Sequence, residues 1–241
     1  LAEVFVYTRY LEISTTTTGH KYAEARAAGY ALCERLVYRR QSDPADGLPV
    51  DYSSPDDGTA EPAARLDAAG RQYDVILVDP HHTYECSARD LRFAFAHLGE
   101  GGALVVHDCD PPTRESAHPA FVPGGWCGVT YKAFIDFVLG NDDLQYVTVD
   151  SDYGCGVVFK RRPGAGGRRG GEASSAGPRM RALSKLWRSV GDDYDRAWEV
   201  FRANRAELLH LVSGEDFLQT MAPGHAPPRT VLRQLLRVAK A

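Results

Sequence analysis

Residues 73–110, YDVILVDPHHTYECSARDLRFAFAHLGEGGALVVHDCD, constrain the fold more than any other stretch. Val75-Ile76-Leu77-Val78 and Ala103-Leu104-Val105-Val106 are short unbroken apolar runs, the pattern of strands buried on both faces. Between them Leu91, Phe95 and Leu98 recur at helical spacing, and Gly99 to Gly102 reads as the turn that ends this helix. Two strands joined by a helix form a βαβ unit, so they are parallel and their C-terminal ends share one edge of the sheet. Open α/β sheets bind ligands at that edge. The first strand delivers Asp79, His81 and His82 to it, and the second delivers His107, Asp108 and Asp110.

The flanking chain extends the same alternation. Tyr10–Ile13 reads as a first strand, followed by Ser14-Thr15-Thr16-Thr17-Thr18-Gly19, where four threonines disfavour helix and Gly19 marks a turn. A helix over Lys21–Ala28, a strand at Leu36–Tyr38, a short strand over Leu48–Tyr52 and an alanine-rich helix over Ala60–Ala69 come next. Beyond Asp110, Pro111–Gly125 is too long for a simple connector and reads as a binding loop, with Trp126 and Tyr131 behind it as candidate pocket aromatics. Val129–Leu139 is a helix, and Leu144–Val149 and Gly156–Phe159 are strands around a hairpin turn. No helix separates these last two strands, so one of them runs antiparallel. Arg161–Pro178 is basic, low in complexity and rich in glycine, which reads as a linker. Amphipathic helical patterns follow, with a last short one over Arg229–Lys240. The expected domains are residues 1–160, a linker over 161–178, and a helical extension over 179–241.

Composition narrows the functional classes. With 44% apolar and 25% charged residues and a net charge of −4, the chain has an ordinary globular composition and no electrostatic case for nucleic acid. It has no long apolar run and no signal-peptide pattern at Leu1–Thr15, so a cytoplasmic protein without a membrane partner is expected. Five scattered cysteines without a CxxC fit reduced thiols rather than a disulfide framework or a zinc site. The dinucleotide fingerprint GxGxxG is absent, which disfavours a nicotinamide enzyme.

The run Tyr10-Leu11-Glu12-Ile13, the motif VDPHHTYE with Asp90-Leu91, and GGALVVHD together resemble the class I S-adenosylmethionine-dependent methyltransferases. Within them the chain is similar to the group with the motif Asp-Gly-x-His-x-Tyr-Glu, which includes small-molecule O-methyltransferases and cephalosporin-hydroxylase-like proteins. The resemblance covers about residues 8–160. It implies a Rossmann-like α/β fold, a seven-stranded, mostly parallel sheet with an antiparallel last strand, here followed by a C-terminal helical tail. It implies S-adenosylmethionine as cofactor, held by Glu12, Ser14, Thr16, Thr18, Gly19, Ser54, Asp57 and Asp79. Where the family carries a glycine-rich loop, this chain has Ser14 and threonines. Where it carries an acid for the ribose, this chain reads Tyr38-Arg39-Arg40-Gln41, with Asp43 the nearest acid.

Methyl transfer to a hydroxyl requires an aligned nucleophile and removal of its proton, by a base or with help from a metal. The resemblance places a divalent metal at Asp79, His107 and Asp108. His107 stands where the family has a carboxylate, which shifts preference from magnesium toward a softer ion. His81 and His82 are the base candidates, with Asp108 beside them in the catalytic set, and the sequence does not choose between the two imidazoles. Against these roles stands a plainer one, in which Asp79 and Asp108 only cap strand ends. The expected function is O-methylation of a small molecule, such as a natural product or a sugar. Two alternatives stand beside it. One is a non-methylating, metal-assisted epimerisation, hydroxylation or hydrolysis on the same fold. The other is a non-catalytic partner subunit. Homo-oligomerisation through the C-terminal helices is the expected assembly.

Overall fold

The computed structural model describes residues 7–15, 19–38, 47–54, 60–79, 81–141, 144–160 and 177–221. Residues 161–176 of the proposed linker, the basic stretch Arg229–Lys240, and Thr16, Thr18, Asp57 and the Arg39–Asp43 stretch lie outside these residues, while Pro178, expected in the linker, starts a helix. The core is one sheet whose strands are β1 (Arg9–Thr15), β2 (Leu32–Tyr38), β3 (Tyr52–Ser54), β4 (Tyr73–Asp79), β5 (Leu98–Val106), β6 (Leu144–Asp150), β7 (Cys155–Lys160) and β8 (Leu211–Ser213). Their order is β3-β2-β1-β4-β5-β7-β6-β8. All neighbouring pairs are parallel except those made by β7, which runs against both β5 and β6.

The sheet has one strand more than the expected seven. β8 comes from the C-terminal segment and lies parallel to β6, pairing Thr148 with Leu211 and Asp150 with Ser213. The tail is therefore helical except at this point. Gly99–Gly102 also departs from expectation. It forms the start of β5 instead of a free turn, with the register against β4 shifting between Tyr73 and Val75. Glycine permits this because a Cβ on Gly102 would lie 2.9 Å from the Asp74 carbonyl oxygen.

The central strands are dry on both faces: Leu11, Ile13, Ile76 and Leu104 are fully buried. Helix α1 (Gly19–Ala27) follows β1, and α2 (Ala60–Ala68) follows β3. Helix α3 (Tyr84–His97) follows β4, and the Thr83 hydroxyl caps its start by accepting the Cys86 N–H. Glu85 sits in the first turn, where the helix dipole favours an acid. Helix α4 (Thr130–Gly140) follows the long loop after β5.

Helices α5 (Pro178–Arg188), α6 (Tyr194–Ala203), α7 (Arg205–Leu209) and α8 (Gly214–Met221) complete the described chain. Their apolar side chains Leu183, Trp187, Trp198, Phe201 and Leu208 join the same buried cluster as Ile13 and Ile76. Tyr131, expected as a pocket aromatic, lies under this layer instead: its ring is 4.6 Å from that of Phe201 and packs edge-on against Trp187 and Trp198. Asp136 fastens the contact, accepting from Trp187 Nε1 at 2.7 Å, Lys132 Nζ at 2.8 Å and the Tyr84 hydroxyl at 2.9 Å. Trp187→Ala removes both the buried ring and one of these donors, and should destabilise the whole molecule by about 3–5 kcal/mol. Urea unfolding followed by circular dichroism checks this: the sheet and the tail should lose structure in one shifted transition.

Candidate functional site

Strand order reverses between β1 and β4, which diverge from there in sequence direction across the sheet. Ser14 near the end of β1 is level with Asp79 at the end of β4. A crevice at such a reversal is where open α/β sheets take their ligands. On the β1 side, Glu12 and Ser14 are fully buried. The Ser14 hydroxyl donates to Glu12 Oε1 at 2.7 Å, and Arg35 Nε, from β2, reaches Ser14 Oγ at 3.4 Å and Glu12 Oε1 at 3.5 Å. Burial raises the Glu12 carboxyl above its ordinary range against the pull of Ser14, Arg35 and Tyr10. Arg35 also donates to the Thr15 carbonyl at 3.1 Å, so it ties down the point where β1 leaves the sheet. Gly19 is the first residue of α1, and Ser54 ends β3.

On the β4–β5 side, Asp79, His82, His107 and Asp108 form one cluster. Asp79 and Asp108 are 6% and 5% exposed. His82 lies between them, with Nε2 3.6 Å from Asp79 Oδ1 and Nδ1 3.0 Å from Asp108 Oδ2. The second imidazole repeats the arrangement: His107 Nδ1 is 3.4 Å from Asp79 Oδ1 and 3.2 Å from Asp108 Oδ2. Neither of these approaches has hydrogen-bond geometry, so His107 Nδ1 is a buried nitrogen without a partner. His107 Nε2 is satisfied, 2.8 Å from Asp152 Oδ2. His81, by contrast, presents its ring to Tyr38, 6.2 Å away, on the β2 side. Asp110 is gripped by Arg205, whose Nε reaches Asp110 Oδ1 at 2.6 Å.

Local backbone features hold this geometry. Asp108 adopts φ 60°, a left-handed conformation that aspartate tolerates better than most residues, so the chain turns sharply as it leaves β5. The backbone of His82 is pinned from the far side of the loop, where Val129 N–H donates to its carbonyl at 2.9 Å. Gly128 must be glycine for this approach, since a Cβ there would lie 2.1 Å from the His82 oxygen. The His82 ring stacks on Trp126 at 5.3 Å, and its Nδ1 lies 2.9 Å from the Trp126 carbonyl oxygen. Phe121 packs edge-on against the same indole and is 69% exposed. Next to the cluster a cleft opens between the β6–β7 turn and the tail, lined by Asp110, Pro112, Asp150, Asp152, Tyr153 and Arg202.

Electrostatics bind these groups to one another. Burial alone would raise Asp79, but His107, His82 and Lys21 together hold it far below the ordinary carboxylate range. Asp108 is lowered for the same reason by the two imidazoles. Burial opposes charge on both histidines, yet the facing carboxylates outweigh it and hold His82 up at about 9 and His107 at about 11. Lys21, from α1, is a functional neighbour that sequence pattern did not reveal: its Nζ is 2.8 Å from Asp79 Oδ2. Asp152 and the Trp126 carbonyl were missed in the same way. All three reach the cluster through tertiary packing and leave no local signature.

The donor set fits a divalent ion. Asp79, His82 and Asp108 each offer an atom within 4.8 Å of the others. Ion–ligand bonds of about 2.0–2.2 Å place neighbouring donors roughly 3–3.5 Å apart, close to the separations of His107 Nδ1 from Asp79 Oδ1 and from Asp108 Oδ2. The buried His107 Nδ1, which makes no hydrogen bond, supplies the remaining indication, because a buried polar atom without a partner is costly unless something else engages it.

Comparison with known proteins adds the following. A protein-family model described as a methyltransferase domain matches residues 41–109. No curated protein matches the sequence. Among solved structures, the O-methyltransferase TomG from Streptomyces achromogenes, involved in tomaymycin synthesis and solved with SAM, is similar with a TM-score of 0.50 at 15% identity, over 67% of this chain and 76% of that one. An O-methyltransferase from Bacillus cereus, solved with SAH, gives a TM-score of 0.47 at 11% identity, over 66% of this chain and 77% of that one.

The raised imidazoles make stability depend on pH. A group whose folded pKa exceeds its unfolded value stabilises fully below the unfolded value and loses that contribution as pH rises through the folded one. For His82 the window runs from 6.5 to about 9, and for His107 from 6.5 to about 11. Thermal melts of chelator-treated protein should therefore show a falling midpoint across the alkaline side of neutrality. His82→Ala should flatten the part of that fall below about pH 9.

Proposed function

We propose that this chain, which has the Rossmann-like α/β fold of the S-adenosylmethionine-dependent methyltransferases, is an O-methyltransferase acting on a hydroxyl of a small molecule such as a natural product or a sugar. The observation that carries this reading is the Asp79–His82–His107–Asp108 cluster, set beside the strand-order reversal at which such folds bind ligands. S-adenosylmethionine would lie over the ends of β1 and β4. Glu12 and Ser14 would shape its floor, because their side chains are already joined to each other and to Arg35. Gly19 at the start of α1 and Ser54 at the end of β3 would border it, with Asp79 at its junction with the acceptor; Thr16, Thr18 and Asp57 complete the cofactor set that the resemblance implies.

Asp79, His107 and Asp108 are the residues we assign to a divalent ion, which when bound would acidify an acceptor hydroxyl. His82 is the base in this reading. Its Nδ1 proton is held by the Trp126 carbonyl, which leaves Nε2 as the atom that accepts. Asp79 and Asp108 hold His82 protonated; a cation held by those carboxylates would weaken that hold and would let Nε2 serve as a proton acceptor. Trp126 and the exposed Phe121 provide an aromatic wall for the apolar part of an acceptor, and their packing keeps water from the His82 face.

Calorimetric titration with S-adenosylmethionine and its demethylated product tests the cofactor; absence of binding to both would overturn the reading. His82→Ala should lower kcat for methyl transfer by about 10²–10⁴-fold, while affinity for the demethylated product stays unchanged. His81→Ala should leave kcat far less affected.

A further inference from the structure

We propose that Asp152 is a positioning residue for His107: it keeps a proton on Nε2, so that the proton displaced when a cation binds leaves from Nδ1, the nitrogen turned to Asp79 and Asp108. The inference rests on the metal reading given above. An imidazole differs from a carboxylate in offering two unlike nitrogens, and the one that binds a cation is set by the hydrogen bond the other makes. His107 stands where the resembling enzymes carry a carboxylate, so this chain needs a partner that makes the choice. Asp152 supplies it, with Oδ2 2.8 Å from His107 Nε2. The complementary observation is on the other side of the ring, where Nδ1 is buried among carboxylates without a hydrogen bond.

The turn that carries Asp152 is built for this placement. Asp152, Tyr153 and Gly154 adopt φ 49°, 58° and 84° in succession. Left-handed backbone is unfavourable for L-residues and persists where the surroundings hold it. Here Asp110 N–H donates to the Tyr153 carbonyl at 2.7 Å, and Cys109 N–H donates to that of Gly154 at 2.9 Å. The turn is thus hydrogen-bonded to the same segment that bears His107. A Cβ on Gly154 would lie 2.3 Å from that of Asp110, so only glycine allows this contact. Arg205 holds both flanks, gripping Asp110 and reaching Asp150 Oδ1 at 3.3 Å. The Asp152 side chain is 60% exposed, so the rigid turn and not burial keeps its carboxylate on His107.

The test is calorimetric titration of Mn²⁺ into the full chain without cofactor, for the unaltered protein, Asp152→Ala and Asp152→Asn. Loss of an outer partner of a ligating histidine typically weakens metal binding by about 10–100-fold, and that is the result expected for Asp152→Ala. Asp152→Asn keeps an oxygen that accepts from Nε2–H and should bind Mn²⁺ close to the unaltered protein. In chelator Asp152→Asn should retain the parent thermal midpoint, because asparagine tolerates the left-handed backbone as aspartate does, and Asp152→Ala should fall only slightly, since the side chain is exposed. Equal Mn²⁺ affinity in Asp152→Ala and the unaltered protein would overturn the positioning role and leave the metal reading standing. An equal loss in both variants would overturn it too, because charge alone would then explain the effect. Failure of the unaltered protein to bind Mn²⁺ would overturn both.

Discussion

Two buried carboxylates of like charge govern the site. Asp79 and Asp108 bring oxygen atoms within 4.8 Å of each other at the sheet edge. At an effective dielectric near 20, that separation implies repulsion on the order of 3–4 kcal/mol. The surrounding residues answer it. Lys21 occupies the outer oxygen of Asp79, and the two imidazoles bridge the inner ones. Each of these groups comes from a different part of the chain, so the cluster also fastens α1, β4, β5 and the start of α3 together.

Much of this was legible in the sequence, for a physical reason. β4 and β5 are buried on both faces, so their apolar runs stand out, and the polar residues after them can only lie at the sheet edge. Asp79, His82, His107 and Asp108 follow directly from that placement. The choice between His81 and His82 was not legible. Adjacent residues leaving a strand point in different directions, and which one turned to the carboxylates was set by Trp126 and Gly128, more than forty positions away. Lys21 and Asp152 escaped for the same cause. A lone lysine in a helix and a lone aspartate in a hairpin turn carry no periodic signal.

The tail shows the converse limit. Its amphipathic helices were evident, but their target was not, because an apolar face does not identify what covers it. The structure directs that face onto α4, where Tyr131 and Asp136 receive Trp187, Trp198 and Phe201. β8 was invisible to sequence for a different reason. Three residues, Leu211-Val212-Ser213, are too few to establish alternation, and their strand character comes from pairing with β6.

That short strand has a consequence for how molecules of this protein meet. Among the described residues both rims of the sheet, β3 and β8, are three residues long. Each offers few unpaired backbone groups, so a neighbouring molecule finds little template for continuing the sheet across itself. Any association between copies would then be written in side chains, where it can be selective, and not in the backbone, where any extended peptide would serve.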